Sequence, residues 1–245
     1  MRVRAAKLTK KKKVIEWRSH EPSRLETFSD AVFAFAVTLI IVSLEVPKTF
    51  DDLAETLKGT ASFAVCFTLL FLIWNNQNLF FRYFGLKDAW TATLNGALLF
   101  VVLVYVYPLK FLFNVAFLSN QYHENGAIKA MITDHDVPTL FLIYGLGYMA
   151  INLLFYFMYQ WAIRCSAEIG LNEIEIFESK TIRDIFLICS FIGVVSIAIA
   201  YLVPLHLVGF AGFFYTTIGP AYGLWFSYRG RKRKKVFPNT ELHFS

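Results

Sequence analysis

Four residues that could do chemistry stand at the head of one apolar run: Arg24, Glu26, Ser29 and Asp30 in RLETFSDAVFAFAVTLIIVSLEVP. From Ala31 to Leu44 no residue carries a formal charge. An acid at the middle of a spanning helix costs about 2.5–3.5 kcal/mol on insertion scales, so a carboxylate beside such a run needs a partner or a task. Two more polar groupings interrupt apolar stretches, Trp74-Asn75-Asn76-Gln77-Asn78 and the single Asn95. Their chemistry is hydrogen bonding between helices. No HExxH, GxSxG or clustered acid–histidine set occurs, so neither a catalytic residue nor an enzyme activity is assigned. His20, His123, His135, His206 and His243 all fall in expected loops or tails. Cys66, Cys165 and Cys189 show no CxxC spacing, which leaves no disulfide framework, no metal site and no cofactor to propose.

The elements that must position these groups follow from composition and hydropathy. Of 245 residues 56% are hydrophobic and 26 are phenylalanine, above the 45–50% apolar share of soluble domains. The mean hydropathy is +0.49. The chain reads as an all-α integral membrane protein. Six apolar runs each approach the ~20 residues that cross about 30 Å of hydrocarbon: about 24–46, 61–81, 89–112, 139–163, 185–203 and 207–228. They make one transmembrane domain, 23–228, between basic tails at 1–22 and 229–245. The first run is read as a retained helix, since its exit SLEVP lacks a small-x-small cleavage site. Ser23-Arg24-Leu25-Glu26 opens it as a capping box, and Pro47 closes it.

Charge sets the orientation. Segments 1–24, 82–88, 164–183 and 229–235 hold 20 of the 24 lysines and arginines. Six spans with both termini cytoplasmic satisfy the positive-inside rule. The net charge of +6 is concentrated in the two tails, where attraction to anionic membrane lipid explains it better than nucleic acid does. With this topology Arg24–Asp30, Trp74–Asn78 and Asn95 share one depth, and an interhelical hydrogen-bond cluster is expected there. Trp74 and Asn78, four apart, are its expected members from the second helix; Asn75, Asn76 and Gln77 also suit a place near the headgroups. On a wheel of 100° per residue, Arg24, Phe28, Ala31, Phe35, Thr38, Leu39, Val42 and Val46 form one stripe, with Ser29 and Asp30 pointing away. If that stripe faces a pore, Asp30 is a brace and not a filter ligand. Thr38 then either coordinates an ion or bonds back to its own helix.

The run Arg24-x-x-x-Phe28-Ser29-Asp30, followed by Ala-Val-Phe-Ala and Thr38-Leu39, resembles the RxxxFSD signature of the transmembrane protein 175 potassium channels. Trp74-x-Asn76-x-x-x-Phe80-Phe81-Arg82 is similar to that family's second-helix pattern, and Leu94-Asn95-x-x-x-Leu99-Phe100 with Pro108 to its third. The last three spans match in number and hydropathy. The resemblance implies a potassium-preferring cation channel of the prokaryotic cell membrane, built as a homotetramer of six-helix units, with monovalent cations as its permeant ligands. It implies constriction rings from the first helix at Phe35, Leu39 and Val42, with Thr38 among them, and a packing network of Arg24, Phe28, Ser29, Asp30, Trp74, Asn78 and Asn95. The family commonly has a histidine pair where this chain has Gln77 and Asn78, so no role of those histidines carries over. A secondary transporter is the alternative. It would show helices broken in pairs and an acid near the midplane, whereas Pro108 lies late in its span, Asp30 near an end, and Gly145-x-Gly147 suits close packing.

Overall fold

The computed structural model describes residues 17–19, 21–42, 49–117, 121–124, 127–130, 132–133, 135–204 and 208–238. Helix α1 spans Arg24–Val42, α2 Phe50–Phe84, α3 Ala89–Phe117, α4 Val137–Arg164 and α5 Glu173–Leu202. A sixth, broken element follows: α6 at Gly209–Phe213, a 3-10 turn at Phe214–Thr217, and α7 at Ile218–Val236. Among the described residues four stretches are long and apolar enough to cross a membrane, Thr60–Phe84, Ala89–Phe113, Val137–Arg164 and Glu173–Leu202. The expected exit through Val46 and Pro47, the turn at Leu205-His206, most of the first tail, and His20 and His243 lie outside the described residues.

Several expected boundaries move, each for a local reason. The polar segment before the second span is helical and continuous with α2, which at 35 residues is about 52 Å long and outruns the hydrocarbon. The acidic connector after α4 becomes the start of α5, because Asn172 and Glu175 form a reciprocal capping box: Glu175 N donates to Asn172 Oδ1 at 2.8 Å and Asn172 N to Glu175 Oε2 at 2.9 Å. The run expected as a sixth span is interrupted because Pro220 has no amide to donate, so the helix restarts at Ile218 with the proline in its first turn. The chain is also not purely helical. Strands β1 (Gln121–Glu124) and β2 (Ala127–Ala130) pair antiparallel, from Gln121 opposite Ala130 to Glu124 opposite Ala127. The Asn125-Gly126 dipeptide between them in the sequence was the legible hairpin signal.

The core runs through the bundle from Phe33, Ala36 and Ile40 of α1 to Phe80, Phe81 and Phe84 of α2, Leu98 and Val102 of α3, Phe155 and Tyr159 of α4 and Phe186 of α5. Aromatic rings interlock at one end, with Phe80 5.3 Å from Tyr159 and Phe155 stacked 4.9 Å from Phe186. Large apolar residues such as Phe67, Phe100, Phe157, Phe191 and Phe213 remain exposed on the outside, the distribution a lipid solvent permits. Two tyrosines tie α3 to α4: the Tyr105 hydroxyl donates to Ile143 O at 2.7 Å, and Tyr144 donates to Pro108 O. Asp88 caps α3, accepting the amides of Trp90 and Thr91 and the Trp161 indole N–H. Burial opposes its charge, but the bonds from Thr91 and Trp161 outweigh that and hold the carboxyl below its ordinary value.

The Gly145-x-Gly147 pair is a packing site. A Cβ on Gly145 would lie 2.4 Å from Cγ1 of Ile197 on α5, and one on Gly147 would lie 1.9 Å from Cε1 of Tyr105 on α3. Since the Tyr105 ring is held by its own hydroxyl, Gly147→Ala is expected to cost about 1–3 kcal/mol, as overpacking does. Gly96→Ala, which meets open space, serves as the comparison and should be neutral or slightly stabilising. Thermal unfolding of the two purified variants in detergent measures the difference; equal midpoints would remove the close-packing role.

Candidate functional site

Helix α1 has two faces of opposite character. Ser29, Phe33, Ala36 and Ile40, spaced four, three and four apart, are at most 4% exposed. They form the stripe that a 3.6-residue period turns toward the bundle. On the other face Phe28 is 60% exposed and Phe35 58%, and Arg24, Ala31 and Thr38 are exposed with them. Leu39 sits at the edge, half-buried and packed against the core. Val42 is the last residue of the helix, and its side chain lies outside the described residues. The helix starts as its sequence dictates: Ser23 N donates to Glu26 Oε1 at 2.9 Å, and Glu26 N to Ser23 Oγ at 3.3 Å.

Polar contacts hold the buried face. Gln77 Nε2 donates to Asn95 Oδ1 at 2.8 Å, Asn95 Nδ2 donates to Ser29 Oγ at 2.9 Å, and Ser29 donates to Leu25 O at 2.8 Å. All three side chains are at most 2% exposed, and the chain of donors links α2, α3 and α1. Beside it the Trp74 indole N–H donates to Asp30 Oδ1 at 2.7 Å, so the acid braces α1 against α2. Gln77 takes the place expected for Asn78, which is half-buried and joins none of these bonds. The reason is helical phase: Gln77 lies on the stripe of Cys66, Leu70, Phe81 and Phe84, all buried, and Asn78 is turned about 100° from it. That apolar period was readable and outranked the four-residue spacing from Trp74. Arg24 and Phe28, expected in the same network, instead sit on the exposed stripe.

One further support of α1, and one tie between other helix ends, were not anticipated. At its far end Lys110 Nζ of α3 donates to Ile40 O at 3.1 Å; the signal was a lone lysine after Pro108 in an apolar run. Ahead of α1, within the segment expected as a basic tail, residues 17–19 are strapped across the ends of α2 and α5. Arg18 N donates to Arg82 O at 2.9 Å, the Arg82 guanidinium lies 3.7 Å over the Trp17 ring, and Arg18 itself packs against Gly85. Gly85 ends α2 with φ +63°, the left-handed turn that favours glycine. The Arg18 side chain donates to Glu175 Oε1 and Oε2 at 3.1 and 2.7 Å, and to the carbonyls of Ile169, Gly170 and Tyr83. These two residues border a cavity of about 170 Å³ with Tyr83, Tyr159 and Phe226.

The Thr38 hydroxyl donates back to its own helix, to Phe35 O at 2.7 Å and Ala34 O at 3.1 Å. A hydroxyl so bonded keeps acceptor lone pairs on its exposed side. Among the described residues no group of His, Cys, Asp and Glu is arranged to hold a metal ion.

This fold and site define a multi-pass helical membrane protein in which one helix is locked to the bundle on one side and bare on the other. Residues 24–108 match the family described as endosomal/lysosomal potassium channel TMEM175, and a potassium channel of Marivirga tractuosa is 38% identical over 232 residues, covering 88% of this chain and 92% of that protein. The chain belongs to the TMEM175 family, a channel family and not an enzyme family. A potassium channel of Streptomyces collinus is 29% identical over 119 residues, 46% of this chain and 58% of that one. The crystal structure of the potassium channel MtTMEM175, a threonine-to-alanine variant bound to a nanobody fusion, aligns with a TM-score of 0.75 at 33% identity, covering 90% of this chain and 97% of that one.

Proposed function

We propose that the chain, similar to proteins named potassium channels, conducts potassium, and that it does so passively through a pore lined by α1 from each of four copies. The observation that carries this reading is the bare stripe of Phe28, Ala31, Phe35 and Thr38 opposite a face pinned by the Gln77–Asn95–Ser29 chain. One stripe cannot enclose a path for an ion; a ring of copies can, each holding its α1 rigidly from behind. The charge asymmetry of the loops supports an orientation with both termini in the cytoplasm, in which α1 runs outward.

In such a ring the Phe35 side chains form an apolar constriction that gates by dewetting. Leu39 and Val42 continue the constriction toward the outer end, Leu39 from the edge of the stripe. Thr38 supplies an oxygen one turn beyond Phe35, where a partly dehydrated cation meets lone pairs instead of hydrocarbon. Asp30 is engaged by Trp74 and stays a brace. Potassium is the substrate, and no cofactor takes part.

Purified protein in liposomes is expected to pass potassium faster than sodium, down its gradient and with no coupled ion. Saturable uptake coupled to a second ion would replace the channel by a transporter. Phe35→Ala is expected to raise the potassium flux about tenfold, the factor that a barrier lower by roughly 1.4 kcal/mol gives; unchanged flux takes Phe35 out of the pore. Thr38→Ala is expected to lower the preference for potassium, read as a shifted reversal potential under mixed ions, and an unshifted potential ends that role.

A further inference from the structure

Helix α7 carries Arg229, Arg231, Lys232, Arg233, Lys234 and Lys235, and the structure sorts them onto two faces. Arg229 donates to Thr181 Oγ1 at 2.8 Å and to Phe177 O at 2.9 Å, with its guanidinium 3.9 Å over the Phe177 ring. Arg233 pairs with Glu178 at 3.3 Å, and the Trp225 indole donates to Thr181 O at 3.0 Å. At 100° per residue Trp225, Arg229 and Arg233 lie within about 80° of one another, on the face that grips the first turns of α5. Arg231, Lys232, Lys234 and Lys235 are all exposed; Arg231, Lys234 and Lys235 lie about 120–160° from the centre of that face, and Lys232 about 60° from it, at its edge.

The same outward face continues down the helix as Leu224 and Tyr228, 74% and 57% exposed. Reading toward the basic end, the order is an aliphatic side chain, a tyrosine, then Arg231 and Lys235 on the same stripe, with Lys232 and Lys234 flanking it on either side. That order tracks the layers of a bilayer, hydrocarbon, interface and headgroups. Tyr228 to Lys235 covers about 10 Å of helix rise, against the ~5–7 Å of each polar layer implied by a 30 Å core in a 40–45 Å bilayer. The basic turns are held in place before any ligand arrives: Phe237 N donates to Arg233 O at 2.7 Å, and the Phe237 ring meets Phe177 edge-on at 6.0 Å. A nucleic acid or a soluble protein would not call for the adjoining Leu224 and Tyr228.

We propose that Arg231, Lys232, Lys234 and Lys235 form a binding site for the headgroups of anionic phospholipids, with Tyr228 and Leu224 seating the attached chains. The site stands independently of the conduction reading. Four like charges within about one and a half helical turns recruit phosphodiesters from the bilayer they border, and each cation–headgroup contact contributes about a fivefold preference.

Protein reconstituted in phosphatidylcholine vesicles containing a minority of phosphatidylglycerol tests this, with a trace of spin-labelled lipid of either kind. The wild type is expected to immobilise spin-labelled phosphatidylglycerol several-fold more than phosphatidylcholine. The preference should fall toward one in about 1 M salt, where the Debye length is ~3 Å. It should also fall when Arg231, Lys232, Lys234 and Lys235 are together changed to Gln, and should survive Arg231→Lys. No preference in the wild type, or an equal one in the fourfold variant, overturns the site, as does loss of the preference in Arg231→Lys with its cation intact. Displacement of the labelled lipid by a soluble polyanion as effectively as by added phosphatidylglycerol overturns it in favour of a soluble partner. Potassium flux is read on the same vesicles: flux without lipid preference defeats this site alone, and preference without flux defeats the channel reading alone.

Discussion

Arg18→Met is expected to destabilise the purified protein by about 3 kcal/mol, the low end of the cost of removing one partner from a buried ion pair. Glu175 is only 4% exposed, and Arg18, at 19%, keeps some access to solvent, which is why the low end applies. The loss is more than one ion pair. The guanidinium spans both Glu175 oxygens and three carbonyls from the end of α2 and the turn before α5, so the variant leaves an anion and three acceptors facing an apolar cavity. Glu175→Gln is expected to cost less, because the capping bond from Asn172 N can persist to an amide oxygen. Arg18→Met with Glu175→Met should recover part of the loss, since an apolar pair of similar volume replaces a buried ion pair at little cost. Thermal unfolding in detergent, followed by the fluorescence of Trp17 and its neighbours, reads all three. An Arg18→Met midpoint equal to wild type would mean that residues 17–19 do not hold the helix ends together.

Asn95→Leu is the second large effect, expected at about 2 kcal/mol. Polar contacts between membrane helices average only about 0.6 kcal/mol and reach about 1.7. Asn95 belongs above that range because it is fully enclosed and serves two partners, so its removal strands the Gln77 amide in an apolar core at about 1–3 kcal/mol. Asn78→Ala, outside the chain of donors, should stay within about 0.5 kcal/mol of wild type. Replacing both Gln77 and Asn95 with Leu should be milder than Asn95→Leu alone. Equal losses for Asn95→Leu and Asn78→Ala would show that depth in the membrane, and not the hydrogen-bond chain, sets the cost.

Much of this architecture is legible in the order of residues alone. The helix start at Ser23, the division of α1 into an outward stripe and a polar inner end, and the close packing at Gly145 and Gly147 follow from spacing and side-chain size. The polar cluster was legible as a depth at which three segments meet, and its membership only in part. A single-helix spacing argument favoured Asn78 over Gln77, whereas the phase of the whole buried stripe of α2 decides the matter for Gln77.

Residue order is enough to identify a membrane-embedded helical protein of the TMEM175 family and the stripe of its first helix that runs through Phe28, Ala31, Phe35 and Thr38, because hydropathy, capping and helical period are local properties of the chain. The folded structure was needed to show that Arg18 straps the helix ends through Glu175, 157 residues away, that Lys110 holds the far end of α1, and that two of the six cations of α7 are engaged by α5 while four stay exposed. Each of these depends on which helix ends the fold brings together. A guanidinium or an ammonium carries no mark in the sequence of the distant carbonyl or carboxylate that will satisfy it.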